Sequence, residues 1–125
     1  MIVDKDIVVM ASEPSPELTI DMAYEVYADV SDEKALADIF SIVENKSWWI
    51  EDEVYDYEEG TDEYKQACEI TKKWFDLADR IKNDIFEILS VEGVKIPKSG
   101  QKVVLEPFMK RNGYLNRDGW WIKEE

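Results

Sequence analysis

TDEYKQACEITKKWFDLADRIKNDIFEILSVEG, residues 61–93, decides the fold. Tyr64, Thr71, Ala78 and Ile85 recur every seven residues, as do Ala67, Trp74, Ile81 and Ile88, so one apolar seam runs the length of a helix. Thr61 supplies a capping hydroxyl, and Asp62 and Glu63 suit the positive end of the helix dipole. Gly93 offers the left-handed residue that ends a helix, with Leu89 and Val94 placed for the apolar contact of a Schellman cap. The spacing predicts a helix over about 62–91. Such a helix is about 45 Å long, whereas a compact domain of this size has a radius of gyration near 14 Å. It therefore spans the molecule, kinks, or projects into a partner.

Working back from Thr61, Ser31 with Asp32 and Glu33 reads as the cap of a helix whose Leu36, Ile39, Phe40 and Val43 share one face. That helix is expected to end near Asn45, with Ser47 capping a third, short helix that Gly60 closes. Earlier still, Ser15, Pro16 and Glu17 form a helix start, yet Leu18, Ile20, Met22, Tyr24 and Val26 alternate with less apolar residues at a strand's period. Residues 16–28 are read as a helix, with a strand as the alternative. Asp6–Met10 is β-branched and short, a strand signature.

Beyond Gly93 the texture changes. Pro97, Gly100, Pro107, Gly113 and Gly119 punctuate short apolar pieces, and Val103–Leu105 and Trp120–Ile122 are the strand candidates. Residues 105–113 admit another reading, one or two helical turns with Pro107 at the first position. The expected architecture is a single domain over residues 1–125. It is mainly α, with three to four helices around the long one and a small β or irregular cap formed by the N- and C-terminal segments.

The chain has 125 residues, 29 acids against 15 bases, a net charge of −14 and no histidine. Lack of histidine excludes the HExxH motif and every His-dependent nucleophile. No phosphate-binding glycine loop, GxSxG elbow or EF-hand loop is present, so no enzyme activity, cofactor or metal is expected. Lone Cys68 lies beside Tyr64, Thr71 and Phe75 at helical spacing and is expected to be a buried, inert thiol. The longest apolar run, Ile7–Ala11, falls far short of the roughly 20 residues that span a bilayer. MIVDKDIVVM carries charges where a signal peptide needs an apolar stretch, and a cytoplasmic protein is expected.

The charge is uneven. Residues 1–64 hold nineteen acids and three bases, and residues 65–125 hold ten acids and twelve bases. Its densest part is WWIEDEVYDYEEGTDEY, residues 48–64, with eight acids and no base. On a helix over 48–59, Ile50, Val54 and Tyr57 make a narrow apolar stripe opposite Glu51, Asp52, Glu53, Asp56, Glu58 and Glu59. Like charges at i,i+4, such as Asp52 and Asp56, cost a few tenths of a kcal/mol each, partly offset where acids lie near a helix N-terminus. The plain alternative is a solvated acidic face. A face that forgoes every Glu to Lys pair between Lys46 and Lys65 suits a basic partner. Glu51, Asp52, Glu53, Asp56, Glu58, Glu59, Asp62 and Glu63 are expected to supply the field, and Tyr55 the rigid contact area.

The expected function is a small interaction protein that inhibits a basic partner, a nucleic-acid enzyme among the candidates, by occupying its Lys/Arg-lined groove as a nucleic-acid mimic. Phage-encoded nuclease antagonists and immunity proteins are the settings such a profile suits. The net charge opposes direct nucleic-acid or membrane binding. The alternative is a binding module for a nucleotide-like molecule, built from Tyr114, Arg117, Trp120 and Trp121 in the basic, aromatic tail. Pairing of that basic tail with the acidic half of a second copy would give self-association.

Overall fold

The computed structural model describes residues 19–124, and among these four helices precede a two-stranded antiparallel hairpin. The expected strand at Asp6–Met10 and the start signal at Ser15–Pro16 lie outside the described residues. Helix α1 covers Ile20–Ala28, where Thr19 Oγ1 accepts a hydrogen bond from the Met22 amide at 3.2 Å. A helix therefore forms despite the alternating pattern. Its first orphan N–H is satisfied by a threonine that was not singled out as a cap.

Helix α2 covers Glu33–Val54 without a break. This corrects two expectations: the helix does not end near Asn45, and Ser47 does not cap a third helix. The Ser47 hydroxyl donates to the Val43 carbonyl at 2.7 Å, a bond to the preceding turn that lets serine sit inside a helix. The cap at the start is Asp32, whose Oδ1 accepts from the Ala35 amide at 2.7 Å, rather than Ser31.

Helix α3, Asp62–Val91, has the expected bounds. Thr61 Oγ1 accepts from the Tyr64 amide, and at the other end the Val94 amide donates to the Leu89 carbonyl at 2.9 Å with Gly93 at φ +90°. That six-to-one bond is the Schellman closure. Thr71, Trp74, Ala78, Ile81 and Ile85 are buried along the seam, and Leu77, Phe86 and Leu89 widen it. The first two turns are less covered, so Cys68 is half-buried rather than buried.

Helix α4 covers Lys102–Arg111, which replaces the expected strand at Val103–Leu105. Pro107 lies within this helix rather than at its first position, on the exposed side. Its missing N–H removes the helical donor that the Val103 carbonyl would otherwise meet. Strands β1 (Tyr114–Arg117) and β2 (Trp120–Lys123) pair with Arg117 opposite Trp120 and Asn116 opposite Trp121. Asp118 and Gly119 join them with φ of 54° and 90°, the positive values that a type I′ turn requires.

Helices α2 and α3 pack side by side, and their polarity follows from Arg111. Its guanidinium donates to Glu33 at the start of α2 (2.6 and 2.9 Å) and to Glu92 at the end of α3 (3.0 Å twice). The two long helices are therefore antiparallel, tied at one end by Arg111 and joined at the other by residues 55–61. One apolar cluster, including Phe40 and Val43 of α2, Trp74 and Ile81 of α3, Phe108 and Met109 of α4, and Tyr114 and Trp121 of the hairpin, fills the body.

Two glutamates beside this core titrate with opposite consequences. Burial pushes the Glu44 carboxyl above its ordinary range, opposed by the Trp121 indole N–H at 2.9 Å and the charges of Lys82 and Lys102. Hydrogen bonds from Arg111, and secondarily Asn112, hold Glu33 below that range against a smaller burial effect. As pH climbs through the unfolded value near 4.3, the unfolded chain loses the Glu44 proton first, so ionisation of Glu44 destabilises. For Glu33 the sign reverses, and its contribution is present above that value and lost as pH falls through the depressed one. Glu44→Gln is expected to raise the urea midpoint at neutral pH, and Glu33→Gln to lower it. Both differences should shrink towards zero in acid; equal shifts at every pH would refute the linkage.

Candidate functional site

The acidic run does not lie on one helix. Because α2 ends at Val54, Glu51, Asp52 and Glu53 occupy its last turn, Tyr55, Asp56, Glu58 and Glu59 form the connection, and Asp62 and Glu63 open α3. The expected helix over 48–59, with its stripe of Ile50, Val54 and Tyr57, is corrected accordingly. Val54 is buried and Ile50 packs against the core, but Tyr57 lies outside the helix and is exposed.

The connection is ordered by short backbone bonds. The Asp56 amide donates to the Glu53 carbonyl at 3.0 Å and the Tyr57 amide to that of Val54 at 3.2 Å, winding down the helix. Gly60 reverses the chain at φ +86°, and the Thr61 hydroxyl donates to the Glu58 carbonyl at 2.7 Å. The acids thus gather around the turn of a helical hairpin. Along α2 this turn is about 30 Å from the Arg111 tie.

Position on the helices alters the electrostatic reading. Asp62 and Glu63 lie at the positive end of α3, where negative charge is favourable, but Glu51, Asp52 and Glu53 lie at the negative end of α2, whose last turn holds no base. The expected relief by a helix N-terminus therefore applies to two acids, not to the whole run. Asp52, Asp56, Glu58, Glu59, Asp62 and Glu63 are exposed, and Glu51 and Glu53 half-buried. Glu53 Oε1 accepts from the Trp49 indole at 3.2 Å and acts on buried Lys46, raising an ammonium pKa that burial pulls more strongly downward. Ion pairs among the described residues join Arg111 to Glu33 and Glu92, Lys72 to Asp76, Lys82 to Asp79, and Lys102 to Glu106. None of these acids belongs to the run.

Aromatic rings flank the charge. Tyr55 is 80% exposed, and Tyr57 and Trp48 are also exposed, Trp48 resting edge-on against Phe75 at 5.4 Å between ring centroids. Trp48 is not among the residues expected at the site; the outward phase of this part of α2 is visible only once the helix is known to run unbroken.

The basic, aromatic tail behaves differently. Tyr114 and Trp121 are core residues, with the Tyr114 hydroxyl donating to Asp38 Oδ1 at 2.7 Å and the Trp121 indole to Glu44. Burial, then the Asp38 bond, drives the Tyr114 phenol well above its usual range. Trp120 is half-buried and Arg117 exposed. Two of the four residues expected to line an aromatic ligand pocket are therefore closed off from solvent. Their rings fill the space beneath the hairpin instead.

Among the described residues, no group of three or more Asp, Glu, Cys or His is arranged to hold a metal ion, and no helix is long and apolar enough to cross a membrane. The chain matches no family model, no curated protein and no solved structure.

Proposed function

We propose that the acidic turn between α2 and α3 binds a Lys/Arg-lined surface of a partner protein, and that the chain inhibits a basic nucleic-acid enzyme by filling the groove that takes the phosphate backbone. The observation that carries this reading is the concentration of six exposed carboxylates and exposed Tyr55 around one turn, at the opposite end of the helical hairpin from the Arg111 tie. Glu53 serves Trp49 and Lys46 within the chain, but exposed Asp52 sits at the negative end of α2, where the last turn holds no base and solvation alone does not offset the cost. A basic partner would turn that local cost into attraction and speed encounter by steering.

The test is the variant Asp52→Asn/Asp56→Asn/Glu59→Gln. All three side chains are exposed, so folding is expected to be unaffected. Each rim charge contributes a few tenths to about 1 kcal/mol, so their joint loss is expected to weaken capture of basic proteins from a lysate by about tenfold or more. Wild-type capture should fall steeply as salt rises from about 0.05 to about 0.3 M. Addition of the wild-type chain to a captured enzyme should block its nucleic-acid binding. An unchanged set of captured proteins in the triple variant overturns the proposal.

A further inference from the structure

A cavity of about 350 Å³ opens between the end of α1, the connection that follows it, and the first half of α2. Its apolar lining comes from Val26 and Val30 at the end of α1 and the connection and from Ile39 and Ile42 of α2. Its charged groups are all acids, Asp29 and Asp32 in the exposed connection and Asp38 within α2, and no lining residue is basic. Asp38 is only 3% exposed. One of its oxygens accepts from Tyr114, and the other, Oδ2, is buried with no hydrogen-bond partner among the described residues.

A buried carboxylate oxygen without a donor is unfavourable, and an arriving donor removes that penalty. We propose that this pocket binds the ammonium end of an aliphatic amine, the chemistry shared by a lysine side chain and a free polyamine. The apolar walls match the methylene stem and the Asp38 oxygen the charged head, while Asp29 and Asp32 attract the cation at the entrance. Only Oδ2 is unpaired, and it has almost no surface open to water, so the ammonium engages it by displacing the side chains that cover it; a compact ammonium suits such a site, whereas guanidinium groups prefer a carboxylate with both oxygens free for paired bonds. This site lies outside residues 51–63 and does not depend on the function proposed above.

The experiment is methyl NMR of the full chain titrated with n-butylammonium chloride, Nα-acetyl-lysine methylamide and spermidine, with 1-butanol and methylguanidinium as controls. Saturable shifts are expected at the Val26, Val30, Ile39 and Ile42 methyls with the amines, with at least tenfold weaker binding of the two controls. The stronger of the lysine amide and spermidine identifies the source of the amine. Asp38→Asn, which retains an acceptor for Tyr114, should weaken amine binding by about tenfold or more, as expected for a hydrogen bond to a charged group. Ala35→Leu, which fills the cavity and leaves the carboxylate in place, should abolish it, and provides the test if Asp38→Asn does not fold. Asp52→Asn/Asp56→Asn/Glu59→Gln should change it by less than about twofold, separating this site from the acidic turn. Absence of saturable shifts at these methyls, equal binding of 1-butanol, or undiminished binding in Ala35→Leu overturns the proposal.

Discussion

Trp121→Ala is expected to destabilise the protein by about 3–5 kcal/mol, the range for removing a fully buried large aromatic ring. Trp121 is 1% exposed and packs against Phe40 with ring centroids 6.1 Å apart. The substitution opens a cavity between the hairpin and α2, and it also removes the indole donor that Glu44 accepts from. Leaving Glu44 half-buried without that donor adds to the loss at neutral pH. Since a domain of this size is held by only about 5–15 kcal/mol, the variant should unfold at much lower urea concentration with an unchanged slope. Trp121→Phe keeps an aromatic ring in the site but, like alanine, lacks the donor to Glu44, and should lose less than the alanine variant. A loss below about 1 kcal/mol for the alanine variant would mean that the hairpin is an appendage rather than part of the core.

Asn45→Ala is the second large effect, through hydrogen bonds rather than volume. Arg117 and Trp120 close the type I′ turn, so the next pair, Asn116 and Trp121, does not exchange ladder bonds, and the Trp121 backbone points away from β1. Asn45 meets it there: its Nδ2 donates to the Trp121 carbonyl and its Oδ1 accepts from the Trp121 amide, both at 2.9 Å. The side-chain amide thus does what a third strand would do, and shields the edge. Truncation strands a buried donor and a buried acceptor, each carrying a penalty of about 1–3 kcal/mol, and a total near 2–4 kcal/mol is expected. Hydrogen exchange offers a local readout, since the Trp121 amide should lose protection out of proportion to the global change. Equal loss of protection throughout the chain would refute the clamp.

Asn45 and its neighbour Ser47 explain why part of the fold was hidden in the sequence. Asn45 and Ser47 look like the end of one helix and the start of another because both residue types favour caps. Inside α2 each spends its polar group elsewhere, Ser47 on the turn above and Asn45 on a strand 76 positions away. No local pattern reports that second partner. The hairpin, by contrast, had a readable signal in Asp118-Gly119 between two short apolar runs, the strongest short-range sign of a type I′ turn.

For the candidate sites the division is similar. That residues 51–63 carry charge needing an explanation is plain from composition, but their arrangement around a turn, with three acids at the negative end of α2, follows from where that helix stops. Asp38 offered a faint sign, an acid within the apolar run Leu36–Phe40. That one of its oxygens is paired while the other is buried without a partner among the described residues could not be read there, because the pairing comes from Tyr114 at the far end of the chain.

By itself, the sequence determined the long helix, its two caps and the segregation of charge, because periodicity, capping and composition act over a few residues and need no partner. Tertiary structure decided the unbroken course of α2, the burial of Tyr114 and Trp121, and the emptiness beside Asp38. Each of these turns on which distant group satisfies a polar atom, a matter settled only when the chain has folded back on itself.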